Sequence, residues 1–280
     1  MDPAEAPAWR RATATFLSYL VTGRFGCDEG LVIEHQTASE HGFVSHAPGS
    51  GEGGALLLGA ISARHDGETG NFIRDLWNAT RQYTRDGCDL HALPDVYHVI
   101  AQGVAIAEDP LTRIVEDFGA SRYFAGLPSR ERATAYPILG ALPRGAAVPV
   151  FATADWAHLP RTMRFDREVE PYGSGYAAID VRGAPPGARL RVWLRGEFGV
   201  EWSLIAIRLD ERGDEIARMR APPRPTPESY LPVELLTGTA EVVLAVTNIS
   251  ARGLDADEPD DFVRSFTLTV DRPHDEDPPR

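Results

Sequence analysis

The sequence predicts an α+β fold, in which an N-terminal α-helical, bundle-like domain is followed by a C-terminal antiparallel β-sandwich. Apolar residues recur with the helical period in the first half, whereas short runs of alternating apolar and polar residues take over after Pro128. A chain of 280 residues is long enough for two domains. We therefore assign residues 1–130 to the helical domain, 131–272 to the β-sandwich and 273–280 to a disordered tail.

The helical domain is predicted from apolar residues that share one face of each segment. The face of the first helix is made of Trp9, Thr13, Phe16, Leu17 and Leu20. Similar spacing predicts four more helices: residues 28–38, 71–84, 95–107 and 110–126. Residues 55–61 are apolar all round, which is typical of a buried helix. The glycines and the proline of residues 46–54 predict that this stretch is a loop before that helix.

The β-sandwich is predicted from the period of its apolar residues. Strict alternation, which indicates strands with one buried face, occurs in three segments: residues 176–181, 189–195 and 265–270. Residues 203–209 and 242–249 are apolar on both faces and are predicted to be central strands. The prolines between Pro222 and Pro232 predict a connection between sheets. About seven or eight strands are typical of a sandwich, which we expect to be complete without the helical half.

Composition excludes several classes of function. A net charge of −13 argues against nucleic-acid binding, which requires basic surfaces. The chain has no lysine, so neither a lysine Schiff base nor a P-loop is available. No apolar run is long enough to cross a membrane, and the first residues do not resemble a signal peptide. As written, the chain carries no export address.

Reactive side chains outside the histidine-rich region are few. Cys27 and Cys88 either form a disulfide in an oxidising compartment or remain two buried thiols. Ser50 is flanked by glycines, as a nucleophilic serine of a hydrolase would be, but no predicted strand precedes it. A loop serine is the simpler interpretation.

Histidines and carboxylates between residues 34 and 41 are the first candidates for a metal site. The candidate zinc ligands are Glu34, His35, Glu40 and His41. Two histidines of one helix reach the same zinc ion when they are four residues apart. Here they are six apart, which places them on opposite sides of a helix. Polar surface histidines are therefore the simpler interpretation, and zinc is the alternative.

An acidic segment before the last predicted strand is the second candidate metal site. Carboxylate oxygens are the ligands that calcium prefers. The candidate ligands are Asp255, Asp257, Asp260 and Asp261. The segment lacks the central glycine and the closing glutamate of an EF-hand loop. A solvated loop is the default interpretation, with calcium binding as the alternative.

Trp193 and Arg191 are candidate binding residues on the outward face of a predicted strand. Both belong to the polar side of the alternation in residues 189–195. An exposed tryptophan in a row of arginines can bind a sugar or stack on a guanidinium. Aromatic and arginine side chains are also enriched at interfaces, so we expect Trp193 to pack against the helical half.

The segment from Trp9 to Phe16 resembles part of the thermolysin-like zinc peptidases, the gluzincins. In that family a W-x-E-[AG]-x-A pattern carries the glutamate that is the third zinc ligand. The helical segments around Gly53–Leu58 and Asp75–Trp77 also resemble the C-terminal lobe of such a peptidase, to which exported bacterial relatives often append a β-sandwich. Here Arg11 stands at the ligand position and the sequence has no HExxH motif. Since arginine cannot deprotonate, it cannot take the place of the glutamate.

The resemblance implies a truncated or catalytically degenerate metalloprotease-like protein with no cofactor and with a β-sandwich as a binding or stabilising module. It further implies an apolar face on the helical domain where a protein partner binds, and an exported location. Two alternatives remain open from the sequence. One is a fragment of, or an active, exported zinc metallopeptidase that uses the residues near His35 and His41. The other is a carbohydrate- or calcium-binding module.

Overall fold

The structure, a computed structural model, describes residues 6–43, 49–83, 96–106, 110–127, 136–222, 227–250 and 264–273. Seven α-helices within these ranges precede all the described strands: α1 (Ala6–Thr22), α2 (Glu29–Thr37), α3 (Ser50–His65), α4 (Asn71–Tyr83), α5 (Val96–Ile106), α6 (Leu111–Arg122) and α7 (Pro137–Gly140). The nine described strands follow: β1 (Val150–Asp155), β2 (Arg161–Phe165), β3 (Ser174–Asp180), β4 (Arg189–Gly196), β5 (Trp202–Leu209), β6 (Glu215–Arg220), β7 (Glu228–Glu234), β8 (Glu241–Asn248) and β9 (Phe266–Asp271). The predicted α+β class is confirmed.

The strands form two sheets that pack face to face. The order is β1-β3-β8-β5-β6 in the five-stranded sheet and β2-β9-β4-β7 in the four-stranded sheet. Strands β1 and β3 are parallel, and the other pairs are antiparallel. An apolar core between the sheets includes Leu194, Leu204, Leu244, Phe266 and Leu268. The predicted central positions of β5 and β8 are confirmed, whereas the predicted number of strands was too low.

Helix α3 is the centre of the helical core, and its start was predicted wrongly. The helix begins at Ser50 and includes three glycines in its first turns. A Cβ atom on Gly53 would overlap the ring of His35, and one on Gly54 would overlap Phe43. The glycines are there because α3 approaches α2 and Phe43 too closely for a larger residue, so they do not mark a loop.

The ends and faces of the other helices mostly follow the prediction. In α1, Trp9 and Phe16 are buried as expected, but Leu17 is 49% exposed. Helix α6 starts at Leu111, one residue later than predicted, with Pro110 in extended conformation before it. The division that we placed at residue 130 stays a prediction, while the helical core itself continues to α7 through Ile138.

A third apolar layer joins the helical half to the outward face of the five-stranded sheet. Tyr123 and Phe124, just after α6, pack with Tyr176, Ile207 and Val243 of that sheet. The central strands β5 and β8 are therefore buried on both faces, and the sandwich is not complete without the helices. Tyr176 was predicted on the polar side of its strand but is fully buried, because that side faces α6.

Polar contacts reinforce this contact surface, which we call the junction. The Tyr176 hydroxyl donates a hydrogen bond to the Gly119 carbonyl at 2.6 Å. At the β6 edge, the Arg220 guanidinium lies 2.9 Å from Glu116 and 2.7 Å from Asp117 on α6. A Cβ atom on Gly119 would overlap the Thr247 hydroxyl, so glycine is needed where α6 crosses β8.

No helix in the described part of the chain has the length and apolar character to span a membrane.

Candidate functional site

Two of the candidate zinc ligands fasten the end of α2 to the β-sandwich. Glu40 is buried, and its Oε1 accepts a hydrogen bond from Arg167 at 2.7 Å. His41 Nδ1 lies 3.2 Å from Glu170 Oε1, whose other oxygen accepts from the Gly42 amide at 2.8 Å. The backbone continues this attachment, because the Glu170 amide donates to the Glu40 carbonyl at 3.0 Å. These side chains are occupied by contacts across the junction.

The other two candidates, Glu34 and His35, point in different directions from α2. Glu34 is exposed, whereas only 4% of the His35 surface is accessible. Burial, followed by the positive charges of Arg122 and His41, holds the pKa of His35 well below its usual value. The imidazole is therefore neutral near pH 7. Within the described ranges, no three side chains of His, Cys, Asp or Glu come close enough together to hold a metal ion.

Arg122 organises the interior behind His35, and sequence reasoning missed it. Its guanidinium is fully buried and donates to the His35 carbonyl at 2.8 Å and to Gln36 Oε1 at 2.9 Å. Gln36 returns a hydrogen bond from Nε2 to the Arg122 carbonyl at 2.9 Å. The guanidinium also lies over the Phe118 ring, 5.7 Å from its centroid. The only signal in the sequence was an arginine four residues after Phe118 on the buried face of α6.

The region that resembles the gluzincin motif has a buried tryptophan and an exposed arginine. Trp9 packs against Trp77, with ring centroids 5.7 Å apart, and against Phe43. Arg11 is 62% exposed, and its Nε lies 4.0 Å from Glu52 Oε1. Arg11, which the predicted resemblance aligns with a zinc ligand, is therefore a guanidinium at the surface beside a carboxylate.

A groove of about 560 Å³ lies between α1 and α4. It is lined by Thr13, Leu17, Thr69, Gly70, Asn71, Ile73, Arg74, Trp77 and Asn78. The Trp77 Nε1 donates a hydrogen bond to Thr13 Oγ1 at 3.1 Å across it. Val21, one turn beyond Leu17 on α1, is 85% exposed. The groove and this end of α1 form an apolar surface on the helical half.

Trp193 and Arg191 lie on the outward face of the four-stranded sheet. Trp193 is 37% exposed and stacks at a tilt against Tyr230, with ring centroids 5.4 Å apart. Arg191 Nη2 contacts Asp271 Oδ2 at 2.7 Å, and its guanidinium lies 5.7 Å from the Trp193 ring centroid. The prediction that Trp193 packs against the helical half is wrong, because the helices cover the other sheet.

The remaining candidates are partly outside the described residues. This applies to all four calcium candidates (Asp255, Asp257, Asp260 and Asp261), to Cys88 and to residues 274–280 of the predicted tail. Cys27 is exposed, so it is not a buried thiol, and its pairing with Cys88 stays a prediction. Ser50 opens α3, is buried, and has an Oγ with no hydrogen-bond partner in the described structure.

Comparisons with known proteins give matches of fold alone. No known protein family and no curated protein matches the sequence. Among solved structures, the pre-peptidase C-terminal domain of a collagenase from Bacillus anthracis matches 44% of this chain and 96% of that chain, with 11% identity and a TM-score of 0.29. The active domain of tailspike protein 4 from bacteriophage CBA120 matches 40% of this chain and 18% of its own, with 11% identity and a TM-score of 0.25. The insecticidal delta-endotoxin Cry8Ea1 from Bacillus thuringiensis matches 40% of this chain and 20% of its own, with 12% identity and a TM-score of 0.23. These values are too low to bear on function.

Proposed function

We propose that this chain is a catalytically silent, metalloprotease-like protein that acts by binding, with the β-sandwich stabilising its helical half. The observation that carries the proposal is Arg11, an exposed guanidinium at the position where gluzincins have a zinc-binding glutamate. A guanidinium has no lone pair to offer a metal and stays protonated in proteins. The sequence also lacks the HExxH motif, so neither the histidine ligands nor the general base of that family is present.

The four candidate zinc ligands, Glu34, His35, Glu40 and His41, do not support a substitute site. Glu40 and His41 are held by Arg167 and Glu170, and His35 is buried beside the permanent charge of Arg122. A zinc ion would add two positive charges next to that guanidinium in a low-dielectric interior, which is strongly unfavourable. An active hydrolase at this cluster is therefore the weaker hypothesis.

The apolar surface of α1 and α4 is where we propose that a protein partner binds. Leu17 and Val21 are the most exposed large apolar residues among the helical side chains that the structure describes. Leu17 lines the groove, and Val21 lies one turn further along α1. A cleft between two helices with an apolar floor suits an amphipathic helix of a partner, which inserts side chains at successive turns. Asn71 and Asn78 also line the groove and offer polar groups beside its apolar side chains.

Zinc content and proteolysis test the catalytic part of the proposal. The purified chain is incubated with zinc, dialysed, and assayed for bound metal and for cleavage of an unfolded protein substrate. A working zinc peptidase treated in the same way is the positive control. We expect no stoichiometric zinc and no cleavage above the buffer blank. Stoichiometric zinc together with cleavage that a chelator abolishes would overturn the proposal.

A photo-crosslinking residue at Val21 tests the partner surface. We expect a crosslinked partner in the source cells when the residue replaces Val21, and none when it replaces the exposed Arg144. The crosslink should be lost when Leu17→Asp is added, because a charge in the groove opposes apolar contact. A crosslink that persists in the Leu17→Asp background would contradict this location.

A further inference from the structure

The outward face of the four-stranded sheet is regular enough for its side chains to be placed by strand register. Inward residues of β4, β7 and β9 fill the core between the sheets, so the alternate residues of the same strands point outward. Reading across β9, β4 and β7, three rows result: Asp271–Arg191–Pro232, Thr269–Trp193–Tyr230 and Thr267–Arg195–Glu228. No described element packs over this face. An aromatic pair therefore lies in the middle row, and the rows on either side are polar except for Pro232.

The aromatic pair is held in place before any ligand arrives. Trp193 and Tyr230 are directly opposite in register, with ring centroids 5.4 Å apart and planes inclined by 41°. Arg191 covers one side of the Trp193 ring and is anchored by Asp271 at 2.7 Å. Fixed aromatic side chains lose little conformational entropy on binding, which favours affinity. The two inclined rings form a small apolar pair, which we call the platform, with mostly hydrogen-bonding side chains in the neighbouring rows.

The charges of this face are balanced, which narrows the chemistry of its ligand. Arg191 lies beside Asp271, and Arg195 Nε is 3.7 Å from Glu228 Oε1. Arg164, on the outward side of β2, has Asp166 at 3.0 Å. Arg189 stands opposite Glu234 in register. A face on which each arginine has a carboxylate neighbour creates no strong field, so it does not favour a polyanion such as a nucleic acid or a sulfated glycan.

We propose that this face binds a neutral polysaccharide. The apolar C–H face of a pyranose ring stacks on Trp193 and Tyr230, in contacts of the kind that aromatic rings make with apolar groups. Its hydroxyl groups exchange hydrogen bonds with neighbouring side chains: Arg195 donates, Glu228 accepts, and the Thr269 hydroxyl does both. The Arg195 and Glu228 side chains are 81% and 66% exposed, so a ligand in solution can reach both. A protein partner would instead require a larger and more apolar patch than two rings.

Binding to insoluble neutral polysaccharides tests this inference with the full chain. Cellulose, chitin and an insoluble α-glucan are mixed with the protein, and the fraction left in solution is measured after sedimentation. Soluble oligosaccharides of the polymer that binds then give a Kd by calorimetry. We expect depletion by at least one of the three polymers, at both low and high salt, because the face is neutral. Trp193→Ala and Tyr230→Ala should each weaken binding about tenfold or more, as expected for a central aromatic contact.

Phe198→Ala is the matched control. Phe198 is 84% exposed on the loop between β4 and β5, so it is an aromatic residue of the same domain that lies off the platform. It should leave the Kd unchanged. Circular dichroism of each variant verifies that a loss of binding is not a loss of fold. Absence of binding to all three polymers, or binding that Trp193→Ala does not weaken, would overturn the inference.

Two further outcomes would show that this face binds something other than a neutral polysaccharide. Binding only to an anionic glycan such as heparin, abolished by salt, would replace the neutral ligand with a charged one and refute the proposal. A dimer in sedimentation analysis that Trp193→Ala dissociates would show that a second copy covers the face, and would also refute it. Neither result depends on zinc or on proteolysis, so failure here leaves the proposed lack of catalysis untouched.

Discussion

The two sheets of the sandwich differ in what lies on their outward faces. In the five-stranded sheet, β5 is buried at every position because helices cover one side and the second sheet covers the other. In the four-stranded sheet, β4 alternates between buried and accessible residues, and its outward side carries Trp193. The protein therefore uses one sheet to join its halves and leaves the other available for contact. Stability and ligand binding should respond to substitutions in different sheets.

Removing Arg122 is expected to have the largest effect, because it holds together the helices that cover the five-stranded sheet. Arg122→Met leaves the His35 carbonyl and Gln36 Oε1 buried without their donors. We expect the free energy of unfolding to fall by about 2–6 kcal/mol, because each of two buried acceptors left without a donor costs about 1–3 kcal/mol. Urea denaturation measures it, with the exposed Arg144→Met as control. A loss below about 1 kcal/mol would mean that the buried network contributes little net stability.

A matched pair of outward-facing residues compares the two sheets directly. Ile207, on β5, is fully buried under the helical half, whereas Thr267, on β9, is half-buried on the open face. Ile207→Ala should lower the free energy of unfolding by about 2–5 kcal/mol through lost burial and a cavity. Thr267→Ala should change it by less than about 0.5 kcal/mol. If denaturant titrations gave the same loss of unfolding free energy for both variants, the outward face of the five-stranded sheet would not be more buried than that of the four-stranded sheet.

Acid should lower the stability of the helical half through His35. In the unfolded chain this histidine takes up a proton near pH 6.5, whereas burial lowers its pKa in the folded protein. Below about pH 6.5 the unfolded state therefore binds more protons, and the free energy of unfolding falls by about 1.4 kcal/mol per pH unit until the folded-state pKa is reached. His35→Gln should remove this part of the slope between pH 7 and pH 5. The exposed His158→Gln should retain it, and an unchanged slope in His35→Gln would exclude His35 as the source.

Removing one hydroxyl from a tyrosine on each sheet should give the smallest difference in the free energy of unfolding. Tyr176→Phe removes the hydroxyl that donates to Gly119 at the junction, leaving a buried carbonyl without its donor. We expect a loss of about 1–3 kcal/mol in the free energy of unfolding. Tyr230→Phe, on the open face of the four-stranded sheet, should change it by less than about 0.5 kcal/mol. A larger effect at Tyr230 than at Tyr176 would contradict the assignment of the two faces.

The sequence predicted those elements whose signal is local. The alternation of Leu190, Val192 and Leu194 with arginines identified β4, and the continuous apolar run of β5 identified a strand buried on both sides. The face of α1 was predicted from Trp9 and Phe16 for the same reason. In each case the period of the apolar residues is set by the environment of that element alone.

What the sequence did not predict depends on contacts between distant residues. The glycines of α3 suggested a loop, and only their contacts with His35 and Phe43 show why a helix needs them. The polar alternate residues of β3 suggested a solvent-exposed face, because nothing local reveals that Tyr176 lies beneath α6. At the candidate site, Trp193 was predicted to lie outward, but its partner Tyr230 depends on the register between β4 and β7. Glu40 and His41 were predicted as metal ligands from their neighbours in sequence, whereas their partners, Arg167 and Glu170, belong to the other half.

The prolines from Pro222 to Pro232 were predicted as a connection, but Pro232 belongs to β7, at the margin of its sheet. A proline within a strand is tolerated where its nitrogen faces away from the neighbouring strand. An outside chain that tried to extend the sheet at β7 would meet a missing amide donor there, and also the charges of Glu228 and Glu234. Such features discourage edge-to-edge aggregation. The open aromatic face can therefore remain accessible beside a sheet margin that is poorly suited to recruiting further strands.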